Sequence, residues 1–203
     1  MVLADSACSH VSFSAALKAR RYGWCFLGMI IYFMPSIQKI REAMLLEQDA
    51  KMRELLIVEN DLLRQPSQPI KTIDGVVREI AEFLEHQMTL QHGGRGASGF
   101  AAVQFGEPIR LIIFQWDTMT NRVLINPEII SEKDSVTEIE ECFSIPDHVF
   151  IVNRPKRVKC RGLNLNGESV TIKGRDKMAR LLKHEIDHLD GILIDSIAKR
   201  RLY

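Results

Sequence analysis

His184-Glu185-Ile186-Asp187-His188 is the stretch on which the reading of the chain turns. Two histidines four residues apart on a helix point the same way, one turn above the other. Their imidazoles can bind a single divalent metal, and Glu185 stands where it reaches the water that such an ion activates. The flanks carry helical signals. Met178, Leu181, Leu182, Ile186 and Leu189 keep helical spacing, Asp176 is placed to cap the start, and Gly191 is placed to stop the helix. A helix with two surface histidines is the competing reading of so short a pattern, and two further stretches favour the metal.

A helix offering two histidines needs at least one more protein ligand. The best donor is Cys142, in Glu140-Glu141-Cys142-Phe143-Ser144-Ile145-Pro146, where a small buried hydrophobe at a strand end is the alternative. The other stretch is Ser98-Gly99-Phe100-Ala101-Ala102-Val103-Gln104. Gly99 and the two alanines leave room for a backbone to approach a ligand, and Gln104 carries an amide donor. A tight turn into a strand would use the same residues.

At 203 residues the chain holds one ordinary domain plus an appendage. With 46% hydrophobic and 26% charged residues it has the make-up of a soluble globular protein rather than a disordered one. The formal net charge of +1 provides no overall field to recruit DNA or an acidic membrane surface. The four cysteines, scattered without close pairs, make no disulfide framework, so a reducing compartment is expected and a cysteine is free to act as a thiolate ligand.

Residues 1–35 look foreign to the rest and read as a leader or extension, poorly ordered and dispensable. Their apolar run, Tyr22 to Met34, is shorter than the roughly 20 residues a spanning helix needs, so no stable membrane insertion is expected. A secretory signal, an organelle transit peptide and a non-native upstream extension all fit. Residues 36–203 form the expected domain, with its core at about 55–197. Within it, 36–57 read as an amphipathic helix capped by Ser36, and Gln65–Pro69 as a loop. A second helix is predicted over about 72–91, with Val76, Val77, Ile80, Phe83, Leu84 and Met88 on one face. His86 on that helix reads as solvated or packed, and His92–Gly96 as a turn.

Short strands follow at Ile109–Phe114, Arg122–Ile125, Val136–Glu140, His148–Val152, Val158–Leu165 and Ser169–Lys173. Turn signals at Asn126-Pro127, Ile145-Pro146-Asp147 and Asn166-Gly167 separate them. No long helical pattern intervenes, so the sheet is expected to be largely antiparallel. The fold class is therefore α+β: mainly antiparallel strands around a C-terminal helix carrying the metal motif, preceded by N-terminal helices.

Taken in order, the three stretches resemble the peptide deformylase family, whose motifs have the form GxGxAAxQ, EGCxS and HExDH. They stand here as residues 97–104, 140–144 and 184–188, and the resemblance extends from about Leu55 to Ile197. It implies Cys142, His184 and His188 as metal ligands, with Glu185 as the proton carrier. It also implies Gln104 and the backbone N–H of Phe143 as oxyanion donors, Gly99 at the substrate, and Glu140 with Arg154 as an ion pair near the metal. The implied cofactor is one divalent ion, Fe2+ in first place and Zn2+ or Ni2+ as substitutes. The implied activity is removal of formyl groups from the N-terminal methionine of nascent peptides by a cytoplasmic monomer. An organelle is the alternative location if residues 1–35 are a transit peptide. The ribosome is a candidate partner through the basic end Lys199-Arg200-Arg201, which as a solvated tail would do nothing of the kind.

The sequence departs from the family pattern at several clustered positions. Ala97 replaces the first glycine, Ser98 an aliphatic residue, and Glu141 the glycine before the ligand cysteine. Arg180, one turn before His184, stands where the family has an apolar residue lining the substrate's methionine side chain. Glu138 falls near another such position unless a one-residue shift places Ile139 there. Two arrangements are open: Arg180 pairs with Glu138 or Glu141 and makes that surface polar, or it reaches to solvent and leaves it ordinary. A divergent metallo-amidohydrolase acting on a more polar acylated amine, a zincin-type endopeptidase and a catalytically weak binding protein are the competing functions.

Overall fold

Leu111, Ile112, Ile113 and Phe114 are apolar without alternation and all fully buried, so this strand has cover on both faces. The structure, a computed structural model, describes residues 54–92, 99–115 and 121–202. Its elements are helix α1 (Gly75–His92), strands β1 (Gly99–Ala101), β2 (Leu111–Gln115), β3 (Asn121–Cys142), β4 (Ile145–Leu163) and β5 (Ser169–Arg175). Helix α2 (Lys177–Leu189), the short helix α3 (Ile194–Ile197) and strand β6 (Arg200–Arg201) complete the order. Single 3-10 turns lie at Asp61–Arg64 and Ala102–Phe105. Every named strand pair is antiparallel, in the order β1-β2-β3-β4-β5, with β6 on β4. The α+β architecture expected from the sequence is the one observed.

Successive residues of β2 point to opposite faces, and each face meets a helix. Val77, Ile80, Ala81, Leu84 and Met88 of α1 pack with Leu111 and Ile113. Met178, Ala179, Leu182, Ile186 and Leu189 of α2 pack with Ile112, Phe114 and Leu124. Burying each large side chain contributes about 1.5–3 kcal/mol, so these two faces fix where both helices sit. The Asp74 carboxylate accepts from the Val77 N–H at 3.1 Å and starts α1. Val76, expected on the packed face, is exposed instead, and His86 is exposed as well.

Three sequence expectations give way. Asn126-Pro127 does not end a strand: it forms a bulge inside β3, between the pairs Ile125–Leu163 and Glu128–Arg161. Asn126 adopts a φ of 48°, and its amide exchanges two 2.8 Å hydrogen bonds with the backbone of Ile70. Ile145-Pro146-Asp147 likewise lies within β4, and the chain reverses at Phe143-Ser144, because Cys142 already pairs with Ile145. The four separate strands predicted between 122 and 165 are thus two long ones. Residues 54–57 are not helical, while the rest of the helix expected over 36–57, its Ser36 cap and the leader over 1–35 lie outside the described residues. So do residues 93–96 of the turn expected after α1. Arg200 and Arg201 pair as a strand with Ile151 and Phe150, so the basic end is anchored, though exposed. Among the described residues no helix is long and apolar enough to cross a membrane.

The ends of α2 show what the sequence signals were worth. Asp176 occupies the N-cap position with φ 50°, but its side chain makes no capping bond. Gly191 does stop the helix: at φ 72° it donates to His188 O at 3.2 Å, and Ile192 N donates to Asp187 O at 2.8 Å. A Cβ on Gly191 would stand 2.6 Å from the Arg64 carbonyl oxygen. Gly191→Ala is expected to destabilise the fold by about 1–3 kcal/mol, read as a lowered urea midpoint. An unchanged midpoint would show that the Arg64 segment yields freely.

Candidate metal centre

Strand β3 and helix α2 pass each other with nearly matched repeats. Two residues along a strand advance about 6.6 Å and return to the same face, while four along a helix advance about 6.0 Å. Glu138, Glu140 and Cys142 therefore meet Arg180, His184 and His188 in succession. The three contacts measure 3.4 Å, 3.4 Å and 3.3 Å. This ladder is what assembles the site.

The donor atoms of Cys142, His184 and His188 all lie within 4.8 Å of one another. Cys142 Sγ is 3.3 Å from His188 Nε2, and the two imidazole rings stand edge to face with centroids 4.9 Å apart. His184 Nδ1 donates to Glu140, which leaves Nε2 as the nitrogen for Cys142 or a cation. Around a tetrahedral ion, sulfur at about 2.3 Å and nitrogen at about 2.0–2.1 Å stand roughly 3.5 Å apart. The Cys142–His188 separation fits that spacing, and a set of one thiolate and two imidazoles suits a first-row transition metal.

Behind the donors lies a buried charged chain. Glu140 accepts from Arg154 Nε at 3.2 Å, Arg154 Nη1 reaches Asp187, and Lys183 closes on Asp187 from one turn away. Burial pushes the Glu140 carboxyl up, but the bond from His184 and the Arg154 charge outweigh it and leave it below its ordinary value. Burial pulls His184 down, yet its bonds to Cys142 and Glu140 hold it well above the usual imidazole range. His188 is pushed well below that range by burial and by the His184 and Arg154 charges.

Glu185 is buried beside this group, and its Oε2 has no hydrogen-bond partner. Burial, with the Glu140 charge, lifts its carboxyl to about 7 against the opposing pull of His184 and Arg154. The space it occupies exists because Gly99 has no side chain: a Cβ there would stand 2.7 Å from Glu185 Cγ and 2.8 Å from Oε1. Gly99 of β1 is thus tied to the general acid–base candidate itself. Gln104 is held from both sides, its Oε1 accepting from Ala101 N at 2.9 Å and its Nε2 donating to Ser144 Oγ at 3.1 Å. Phe143, on the reversal beside Cys142, is partly exposed and leans on Phe100 with ring centroids 5.3 Å apart.

Every residue expected at the site lies at or beside this ladder, with two refinements. Arg180 pairs with Glu138, while Glu141 and Ile139 are exposed on the other face of β3. Ser144, Lys183 and Asp187 join the site without having been singled out for it. Asp187 sits inside the histidine motif, so its place was visible; nothing in the sequence marks Ser144 or Lys183.

Fold and site define a class: an α+β enzyme core with a Cys-His-His donor set and a buried glutamate on an HExxH helix. The sequence matches the profile of the polypeptide deformylase family over residues 52–202. A peptide deformylase from Mesorhizobium japonicum is 35% identical over 154 residues, covering 73% of this chain and 85% of that protein. The crystal structure of a peptide deformylase from Legionella pneumophila aligns with a TM-score of 0.68 at 29% identity, over 72% of this chain and 86% of that one. The Met-Ala-Ser-bound class I type b enzyme from Acinetobacter baumannii aligns at 0.65 with 27% identity, over 71% and 96%. The chain belongs to the polypeptide deformylase family, and it is an enzyme of that kind, a hydrolase.

Glu140→Gln removes the charge that holds His184 and Arg154 together. Metal affinity, measured by competition with a chelator, is expected to fall by roughly 10–100-fold. An unchanged affinity would show that His184 is oriented by its helix alone.

Proposed function

We propose that this protein removes the formyl group from N-terminal formyl-methionine of nascent peptides, using one divalent cation held by Cys142, His184 and His188. Ferrous iron is the cation in this reading, with zinc or nickel able to replace it. A cation there supplies Lewis acidity towards the formyl oxygen and makes water nucleophilic near neutral pH. The observation that carries the reading is geometric: the donor atoms of Cys142, His184 and His188 converge within 4.8 Å of one another, with the buried Glu185 carboxyl beside them.

Glu185, buried beside the donors with its Oε2 unpartnered, is placed to accept the proton of the attacking water and pass it to the departing amine. The attack turns the formyl oxygen into an oxyanion. Gln104 Nε2 uses one of its two hydrogens on Ser144 and has the other for that oxygen, and the Phe143 N–H is the second donor. Donors in such positions contribute about 2.7–4 kcal/mol each where they have been removed. Gly99 keeps the space in which Glu185 moves its proton. In this reading residues 36–203 form the working domain and 1–35 a dispensable leader. The protein acts as a cytoplasmic monomer, with the ribosome as a candidate partner and no role for DNA.

Glu185→Gln keeps the donors and loses the proton carrier. It is expected to retain metal while formate release from formyl-Met-Ala-Ser falls by at least about 100-fold. Turnover close to that of the parent would sink the assignment of Glu185. Gly99→Ala should displace the same carboxylate and lower kcat with the metal content unchanged; a parental kcat would show that Glu185 tolerates the shift.

A further inference from the structure

A cleft of about 400 Å³ opens onto the buried charged chain, lined by residues of β3, β4 and α2. Arg154, Lys183 and Asp187 line it, together with Ser135 and Asn153, whereas Cys142, His184, Glu185 and His188 do not. We infer that this cleft binds a small oxyanion, a carboxylate or a phosphate, and that its occupancy tightens the hold of the donor set on a cation. The site itself stands apart from the deformylase reading, and the coupling rests on the metal-binding part of that reading alone.

The acceptors of this cleft are already engaged. Asp187 takes Arg154 Nη1 on Oδ2 and Lys183 Nζ on Oδ1, and Asp134 at the rim takes Arg157. Glu132, also at the rim, is exposed and keeps its water. Donors, by contrast, are left over. Arg154 is 3% exposed and spends Nε on Glu140 and Nη1 on Asp187. Its Nη2 makes no hydrogen bond among the described residues, yet it is not one of the sealed, unpartnered side-chain atoms, so it keeps contact with open space. Lys183 has three N–H groups and, among the described residues, the one partner Asp187. Asn153 Oδ1 accepts from Thr137 Oγ1 at 3.2 Å, which leaves the amide NH2 unused.

A covered guanidinium with unused N–H groups favours an oxygen acceptor, and a charged one most. A cation entering the same space would meet donors and no free carboxylate on the floor. The cleft is also larger than the roughly 30 Å³ share of one water molecule, which gives room for an ion the size of acetate or phosphate. An anion there adds negative charge two hydrogen bonds from His184, through Arg154 and Glu140. It also draws on the guanidinium that Glu140 shares, so Glu140 accepts more fully from His184 Nδ1 and makes that ring a stronger ligand. Both effects favour a cation at the donor set, and by linkage a bound cation raises the affinity for the anion by the same factor.

In the test, the full chain labelled with 15N, with and without zinc, is titrated with acetate and with phosphate against chloride at constant pH and ionic strength. Saturable amide shifts around Ser135 and Asn153 are expected with the oxyanions and not with chloride. A response to phosphate alone makes it a phosphate site, and one to acetate alone a carboxylate site. No saturable shift, or an equal one with chloride, overturns the inference, the cleft then holding water only. Asn153→Asp and Ser135→Asp, both at exposed positions, set a carboxylate against the same donors and are expected to abolish the shifts. Shifts that persist in both variants place the anion elsewhere and overturn the inference too. In chelator competition, the oxyanion that binds is expected to raise zinc affinity by about fivefold or more over chloride. An unchanged zinc affinity overturns the coupling. A protein that holds no zinc fails the metal reading and the coupling with it, while the titration still decides the site.

Discussion

A single guanidinium ties the molecule together at its most demanding point. Arg154 is 3% exposed and is held between Glu140 on β3 and Asp187 on α2, while itself belonging to β4. An arginine buried without partners would be prohibitively costly, so all three elements must arrive in register for the cation to be tolerated. That requirement does more than contribute stability. It fixes Glu140 against His184 and Asp187 within the histidine motif, so the orientation of the donor residues follows from satisfying one buried charge. Hydrophobic packing then needs only to hold α2 against β2, which its apolar stripe does without directing any polar atom.

The distribution of charge around the centre explains why a charged residue is accepted beside the donor cysteine. Glu141 replaces a small residue in the related pattern, and its neighbours Glu140 and Cys142 both face α2. Strand alternation sends Glu141 to the opposite, exposed face, where a carboxylate keeps its water. Glu138 and Arg180 depart from the pattern on the face turned to α2, where the largely covered Arg180 has the half-exposed Glu138 3.4 Å away. The same alternation thus places Glu141 in solvent and brings Glu138 beside Arg180.

Much of the site was legible because its signals are local. Two histidines at helical spacing, an apolar stripe on α2 and a glycine at its end need no knowledge of the rest of the chain, and each stands where expected. Cys142 stood out as the best third donor in the chain, but a lone cysteine at a strand end says nothing about which helix it faces, and that came only with the resemblance to a family. The long strands were not legible at all. Asn126-Pro127 carries every sign of a turn, but the Asn126 amide is clamped to Ile70, a contact between segments far apart in sequence. Asp176 illustrates the converse: a residue suited to capping stands at the right position, but with φ 50° and no capping bond from its side chain. Ser144 orients Gln104 through a hydrogen bond that exists only because a hairpin reversal meets the turn after β1.

Cys142 arrives on a hairpin and both imidazoles on a helix, and neither part holds a complete donor set alone. Any bound cation is consequently shared across the seam where these parts dock, and the free energy of holding it is added to the free energy of closing that seam. A slippage of α2 along β3 would spread the donors, and it would disturb the apolar contacts of α2 and the Arg154 pairs at the same time. Ion retention is therefore coupled to the docking of α2 on the sheet, and a bound cation raises the resistance of that docking to heat or denaturant.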